Sequence, residues 1–278
     1  MASRRLPGRT EFLFAFVVAL LMPSAAHAWG APAHIDFALE ALRWLAVAAP
    51  AVRLLLLRHP EPFLYGSVVA DVVVGKNRAP QRLHCHRWEA GLELVEAASE
   101  PAERAFAFGY ASHLAADSVA HGEYVPAKLV ESFEGRGLRH AYWELRFDSR
   151  ALQRRPDLTA AWLDLSRARF PRLDRFLAGH LHPAVLSHGA SRGIFAGSML
   201  FQRRRAWMRA AERIDHRSTF PLSGGEFDWY RDRAVEAILR FFSDPEGRVD
   251  PPPDPVGAEP IALALALRKD LRRARRLR

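Results

Sequence analysis

His113, Asp117 and His121 recur at four-residue intervals in the stretch GYASHLAADSVAHGEYVP, which runs from Gly109 to Pro126. In a helix, four residues turn a side chain through about 400°, so each of the three lands about 40° from the one before. They fan across one face, with small alanines between them. Two imidazoles and a carboxylate converging from one helix suit a borderline divalent cation such as zinc. The same run taken alone also describes a helix with two half-buried histidines.

Other residues of the same chemistry decide between those readings. His140 and Glu144 are four apart in LRHAYWELRFDSRALQ and share a face of a second predicted helix. His34, Asp71 and the pair His84 and His86 extend the candidate set. His84 and His86 are two apart, so in an extended segment they point in opposite directions. Both stay in the set, with His86, immediately before the next predicted helix, the favoured ligand. His180 and His182 in HLHP have no carboxylate near them in sequence and read as core or surface histidines, as do His59 and His216. Phe63, Tyr65, Trp143, Phe147 and Trp229 could line a cleft, but aromatics at helical spacing read first as core.

The elements that must position these side chains are helical. Ile35, Leu39, Leu42 and Leu45 give Pro32 to Val47 the period of an amphipathic helix, and a second is expected over Pro50 to Arg58. EPFLYGSVVADVVVG could be a helix or a short buried strand over Val68 to Val74, and is read as a helix ending in a loop. Trp88 to Ala98 and Ala102 to about Val119 are predicted helices separated by Glu100-Pro101. A short amphipathic piece follows Pro126. Helices are then expected over the His140 stretch, Leu158 to Ala168, Pro171 to Leu177, Pro183 to Ile214 and Glu226 to Phe242. No alternating strand pattern of any length occurs, so the fold class is mainly α.

The ends of the chain differ from this body. Arg4, Arg5 and Arg9, an apolar run from Phe12 to Met22 and Ala26-His27-Ala28 describe a secretory signal peptide over residues 1–28, cleaved after Ala28. Its removal takes three arginines and Glu11, so the formal charge falls from +9 to +7. A basic chain favours anionic partners. The expected localisation is exported, periplasmic or secreted. Cys85 is the only cysteine, so no internal disulfide can form and stability must come from packing or metal. Residues 29–243 are expected to form the zinc-binding helical domain, 244–260 a proline-rich linker, and 261–278 a basic helix with seven Lys or Arg in the last eleven residues. That end reads either as a solvated helix end or as a contact for an anionic membrane surface or nucleic acid.

The order and spacing of Trp29, His34, Asp71, His84 or His86, His113, Asp117, His121, His140 and Glu144 resemble the zinc-dependent phospholipase C family and, more distantly, the single-strand-specific zinc nucleases. The resemblance spans Trp29 to Asp148. It implies an orthogonal multi-helix bundle around a trinuclear zinc centre, three ions per chain. It also implies that the mature N-terminal tryptophan binds zinc through its α-amine, and signal-peptide logic independently delivers Trp29 to that position. By the same resemblance, Trp29, His34 and Asp117 look like one zinc set, with Asp117 bridging to a second made of Asp71, His84 or His86, and His113. His121, His140 and Glu144 look like the third. Asp71 would serve as general base or water-orienting residue in hydrolysis of a phosphate ester. The implied substrate is a phospholipid or another phosphodiester, with nucleic acid as the alternative. A metal-stabilised envelope binding protein is the non-enzymatic reading, and no obligate protein partner is evident.

Overall fold

The computed structural model describes residues 29–72, 85–134, 140–158, 160–161, 165, 170–181, 219–245 and 253–276. Among these residues every regular element is a helix, as the sequence predicts. The segment expected to be a signal peptide, His84 and the stretch expected to be helical over Pro183 to Ile214 lie outside the described residues, as does much of Leu158 to Ala168.

Prolines set several of the starts. Helix α1 (Ala31–Arg43), α2 (Pro50–Arg58), α3 (Pro60–Val69) and α5 (Pro101–Val119) each carry proline at the first or second helical position, where no intrahelical N–H is lost. Helix α1 ends at Arg43, and Leu45–Val47 form a separate 3-10 turn where the sequence suggested one continuous helix to Val47. Helix α4 is Trp88–Ala97. After α3 the backbone tightens into a 3-10 turn, Ala70–Val72, so Asp71 sits at the end of a buried helix and not in a strand.

Helix α5 is the axis of the molecule. Glu100 and Glu103 close a capping box around its start, and Pro101 fixes the first turn. From Ala105 to Val119 every residue is buried, and a helix buried on all sides belongs at the centre of the bundle. Helix α3 crosses it closely because glycines face each other. A Cβ built on Gly66 would lie 2.0 Å from the Phe106 carbonyl oxygen, and one on Gly109 would lie 2.0 Å from the Phe63 carbonyl oxygen. Only residues without a Cβ admit that approach, which brings the end of α3 beside the middle of α5.

The end of α5 does not continue as α-helix. Ala120–Tyr124 form a wider π turn before α6 (Val125–Glu131). His121 therefore leaves the register in which it would have followed His113 and Asp117 at regular 40° steps. Such turns frequently occur at functional sites. Helix α7 (His140–Arg154) packs on α1 and α6, while α8 (Pro171–His180) and α9 (Gly224–Ser243) lie against α5, and Ser223 and Glu226 cap α9 with a second capping box.

The C-terminal helix, α10, runs from Ala258 to Arg276, starting before the 261 boundary expected from the proline-rich composition. Pro260 falls in its first turn, where proline is tolerated. Helix α10 lies against α6. No described helix is long and apolar enough to cross a membrane.

Candidate metal centre

Helix α5 supplies His113 and Asp117, and the elements around it bring the remaining side chains to the same place. The shared face of α5 puts His113 Nε2 3.3 Å from Asp117 Oδ2. From α1, His34 Nε2 comes within 3.3 Å of Asp117 Oδ1, and its ring stacks on that of His113 with centroids 3.8 Å apart. From the segment before α4, His86 Nε2 lies 3.1 Å from Asp71 Oδ1, 3.1 Å from His113 Nε2 and 3.5 Å from Asp117 Oδ2. Asp71 Oδ1 is also 3.7 Å from His113 Nε2. Five residues thus turn their ligand-type atoms on one another inside the core.

A second group lies where the π turn meets α7. His140 Nε2 is 2.7 Å from Glu144 Oε1, one turn apart on α7, and the His121 and His140 rings pack edge to face at 5.0 Å. Three sets have ligand-type atoms all within 4.8 Å of one another: His34, Asp71 and His113; His86, His113 and Asp117; and His121, His140 and Glu144. The last matches the trio expected from the sequence. In the first two, His34 approaches Asp71 and His113 as well as Asp117, so its neighbourhood is wider than the grouping with Trp29 suggested.

Trp29 is fully buried, its ring stacked on Phe147 at 4.7 Å and set against Phe37 and Tyr124. The next residue is fixed as well, since the Gly30 amide donates to Asp148 Oδ1 at 3.0 Å. Of the histidines set aside, His180 contacts the Phe176 carbonyl oxygen through Nδ1 at 2.8 Å, and His59 separates α2 from α3. His182 and His216 lie outside the described residues. Phe63, Tyr65, Trp143 and Phe147 are buried core, whereas Trp229 is half exposed.

The orientation of the imidazoles favours metal binding through Nε2. His113 Nδ1 faces the Ser67 carbonyl oxygen at 3.0 Å, and His121 Nδ1 faces the Pro255 carbonyl oxygen at 2.5 Å. A carbonyl can only accept, so each Nδ1 carries the proton and each Nε2 presents its lone pair. His86 Nδ1 lies 3.3 Å from Cys85 Sγ, which leaves Nε2 directed at Asp71 and His113.

The electrostatics agree with that geometry. Burial, followed by the neighbouring His113, lowers the His34 pKa and favours the neutral, ligating form. Burial would raise the Asp117 pKa, but His113 and His34 outweigh it and hold the carboxyl well below its ordinary range. Asp148 goes the other way: burial pushes it well above that range, against the amides of Gly30 and Ala33 that hold it down.

A divalent cation fits this donor set. Both carboxylate oxygens of Asp117 and the Nε2 of His34 are buried without hydrogen-bond partners. The imidazole nitrogens 3.3–3.5 Å from the Asp117 oxygens leave them unsatisfied as hydrogen-bond acceptors, which is costly in a protein interior. Ligation by a dication satisfies them, and zinc accepts this mixture of imidazole and carboxylate.

The sequence did not single out Asp148, the Ser67 carbonyl or the Pro255 carbonyl. Asp148 carries a legible signal, since it follows Glu144 by four residues and completes a stripe with His140. Backbone carbonyls carry none, because any residue type supplies one. The family model for zinc dependent phospholipase C matches residues 33–181, more than half of the chain. No curated protein and no solved structure matches. That match begins beside His34 and spans every cluster residue from there to Glu144, so two independent lines, donor geometry and sequence likeness, converge on one conclusion: the chain belongs to the zinc-dependent phospholipase C family.

Proposed function

We propose that the protein is an exported phosphoric ester hydrolase that cleaves the headgroup ester of a phospholipid. The observation that carries this reading is Asp117, whose two buried oxygens face His34 on one side and His86 and His113 on the other. One carboxylate shared between two nitrogen sets suits a pair of neighbouring cations, because its charge offsets their repulsion.

His34, Asp71, His86, His113 and Asp117 would hold two zinc ions, with the α-amine of Trp29 joining them once the leader is cleaved after Ala28. His121, His140 and Glu144 would hold a third. When bound, zinc lowers the pKa of a ligated water to about 7 and polarises phosphoryl oxygen. Asp71 then orients the attacking water and accepts its proton at the carboxylate. The water oxygen would bond to phosphorus, the bond from phosphorus to the glycerol oxygen would break, and that oxygen would take a proton from solvent and leave as diacylglycerol. The helical frame contributes position, since the ligands stand on α1, α5 and α7 and on the short turns and segments that adjoin α3, α4 and α5.

Helix α10 supports a lipid substrate. Leu263, Leu265 and Leu267 are 70%, 50% and 47% exposed, next to Lys269, Arg273 and Arg276. Exposed leucines beside arginines fit the surface of an anionic bilayer.

The test is metal analysis of the mature protein, then headgroup release from phosphatidylcholine vesicles with single-stranded DNA as the competing substrate. Zinc recovery with release from lipid is expected. Cleavage of DNA without lipid hydrolysis would replace the substrate, and a zinc-free, inactive protein would remove the reading altogether.

A further inference from the structure

The matched family region ends at residue 181, yet a segment more than seventy residues later reaches the metal cluster. Pro255 is buried, and its carbonyl oxygen lies 2.5 Å from His121 Nδ1. The neighbouring backbone is fitted to that contact. Gly257 has φ +58°, in the left-handed region, and a Cβ there would lie 2.5 Å from both the Cβ and the carbonyl oxygen of His121.

This turn is built on both sides. Asp254 caps it through its side chain, accepting from the Val256 amide at 3.0 Å and the Ala258 amide at 3.3 Å, while the Gly257 amide donates to the Asp254 carbonyl at 3.2 Å. On the upstream side, Trp88 Nε1 donates to the Pro253 carbonyl at 2.8 Å. On the downstream side, α10 is locked to α6. The buried Arg268 donates to the Leu129 carbonyl and, at 3.0 Å, to Ser132 Oγ, and Arg272 donates to the Phe133 carbonyl. Arg275 pairs with Glu134.

We propose that residues 253–276 are a C-terminal strap that completes the metal centre, with the Pro255 carbonyl as the positioning group for His121. By accepting the Nδ1 proton, that carbonyl fixes the tautomer and the ring plane and turns Nε2 toward His140 and Glu144. The π turn that carries His121 has wider, less regular backbone bonding than the helix before it, so the ring needs an anchor from outside its own element. The strap supplies it. Outer partners of this kind typically change metal affinity by about 10- to 100-fold.

The inference rests on the metal-centre reading and extends it to a part of the chain the family match does not cover. The experiment uses the full mature chain, wild type and Gly257→Val, with zinc per chain measured after dialysis against graded concentrations of a chelator. Arg268→Ala with Arg272→Ala provides a second, independent way to loosen the strap if Gly257→Val fails to fold. His121→Ala serves as the reference for loss of this site.

Each strap variant is expected to release one class of zinc at about 10- to 100-fold lower chelator concentration while the remaining zinc behaves as in the wild type. Added to His121→Ala, the same change should cause no further zinc loss, because its target is gone. A strap variant that holds zinc as tightly as the wild type overturns the strap assignment while leaving the metal centre intact. So does one that loses all zinc in parallel, since that is general loosening. A wild-type chain that binds no zinc would instead overturn the reading on which the inference stands.

Discussion

Asp117 is the residue on which the centre turns, because its two oxygens face His34 on one side and the pair His86 and His113 on the other. Asp117→Asn keeps the volume and removes the charge, so it should cost both neighbouring cation positions. Zinc per chain should fall further than in His140→Ala, which touches only the outer trio, and equal losses in the two variants would end the bridging role. His86→Ala should strip zinc while His84→Ala leaves content unchanged, since His86 lies against Asp71 and His113. A drop in the His84 variant alone would reverse that choice. Half of the cluster was legible from local spacing, because His113 with Asp117 and His140 with Glu144 obey the four-residue rule of a helix. Their long-range partners His34 and Asp71 entered by residue type alone and were grouped with them only through likeness to a family, since nothing local in His34 or Asp71 says what they meet.

At the scale of the element, two features of α5 hold the centre together. The first is its crossing with α3, where Gly66 and Gly109 let one backbone touch the other. Gly109→Val would drive a side chain into the Phe63 carbonyl and force the helices apart, and overpacking of this kind costs about 1 to 3 kcal/mol. A lowered urea midpoint with weakened zinc binding is expected, because Asp71 sits in the 3-10 turn that directly follows α3; an unchanged midpoint would mean the helices separate freely. The second feature is the π turn. Open space surrounds Gly122, so Gly122→Ala should be tolerated or stabilise the chain by up to about 1 kcal/mol, and melting curves would register it. The starts of α2, α4 and α5 follow the predicted positions within a residue, since proline at α2 and α5 and the apolar period that opens at Trp88 are local signals. The π turn and the close crossing were not legible: one depends on how α5 meets α6, the other on two glycines 43 residues apart.

Across the whole molecule, α1 is pinned to distant helices by charge as well as by packing. Buried Asp36 accepts from Arg155 at 3.0 Å and from Arg231 Nε at 2.6 Å, and Arg231 also reaches Glu40 at 2.9 Å. The network joins residues up to 195 apart, too far for any periodicity to announce it. It carries His34 into the centre, because His34 stands on the same helix. Burial would raise the Glu40 pKa, but Arg231 and Trp44 outweigh it and lower the value below 4.5. A depressed carboxylate contributes stability that is present above its unfolded value and is lost as pH falls through the folded value. The Glu40 contribution should therefore be complete at pH 7 and fade below about pH 4.5. Arg231→Met removes charged hydrogen bonds worth about 2 kcal/mol at neutral pH. Urea titrations of both chains at a series of pH values should show a gap that narrows once Glu40 takes up its proton. A gap that stays constant from pH 7 to pH 3 would place the contribution of Arg231 in its packing and not in its charge.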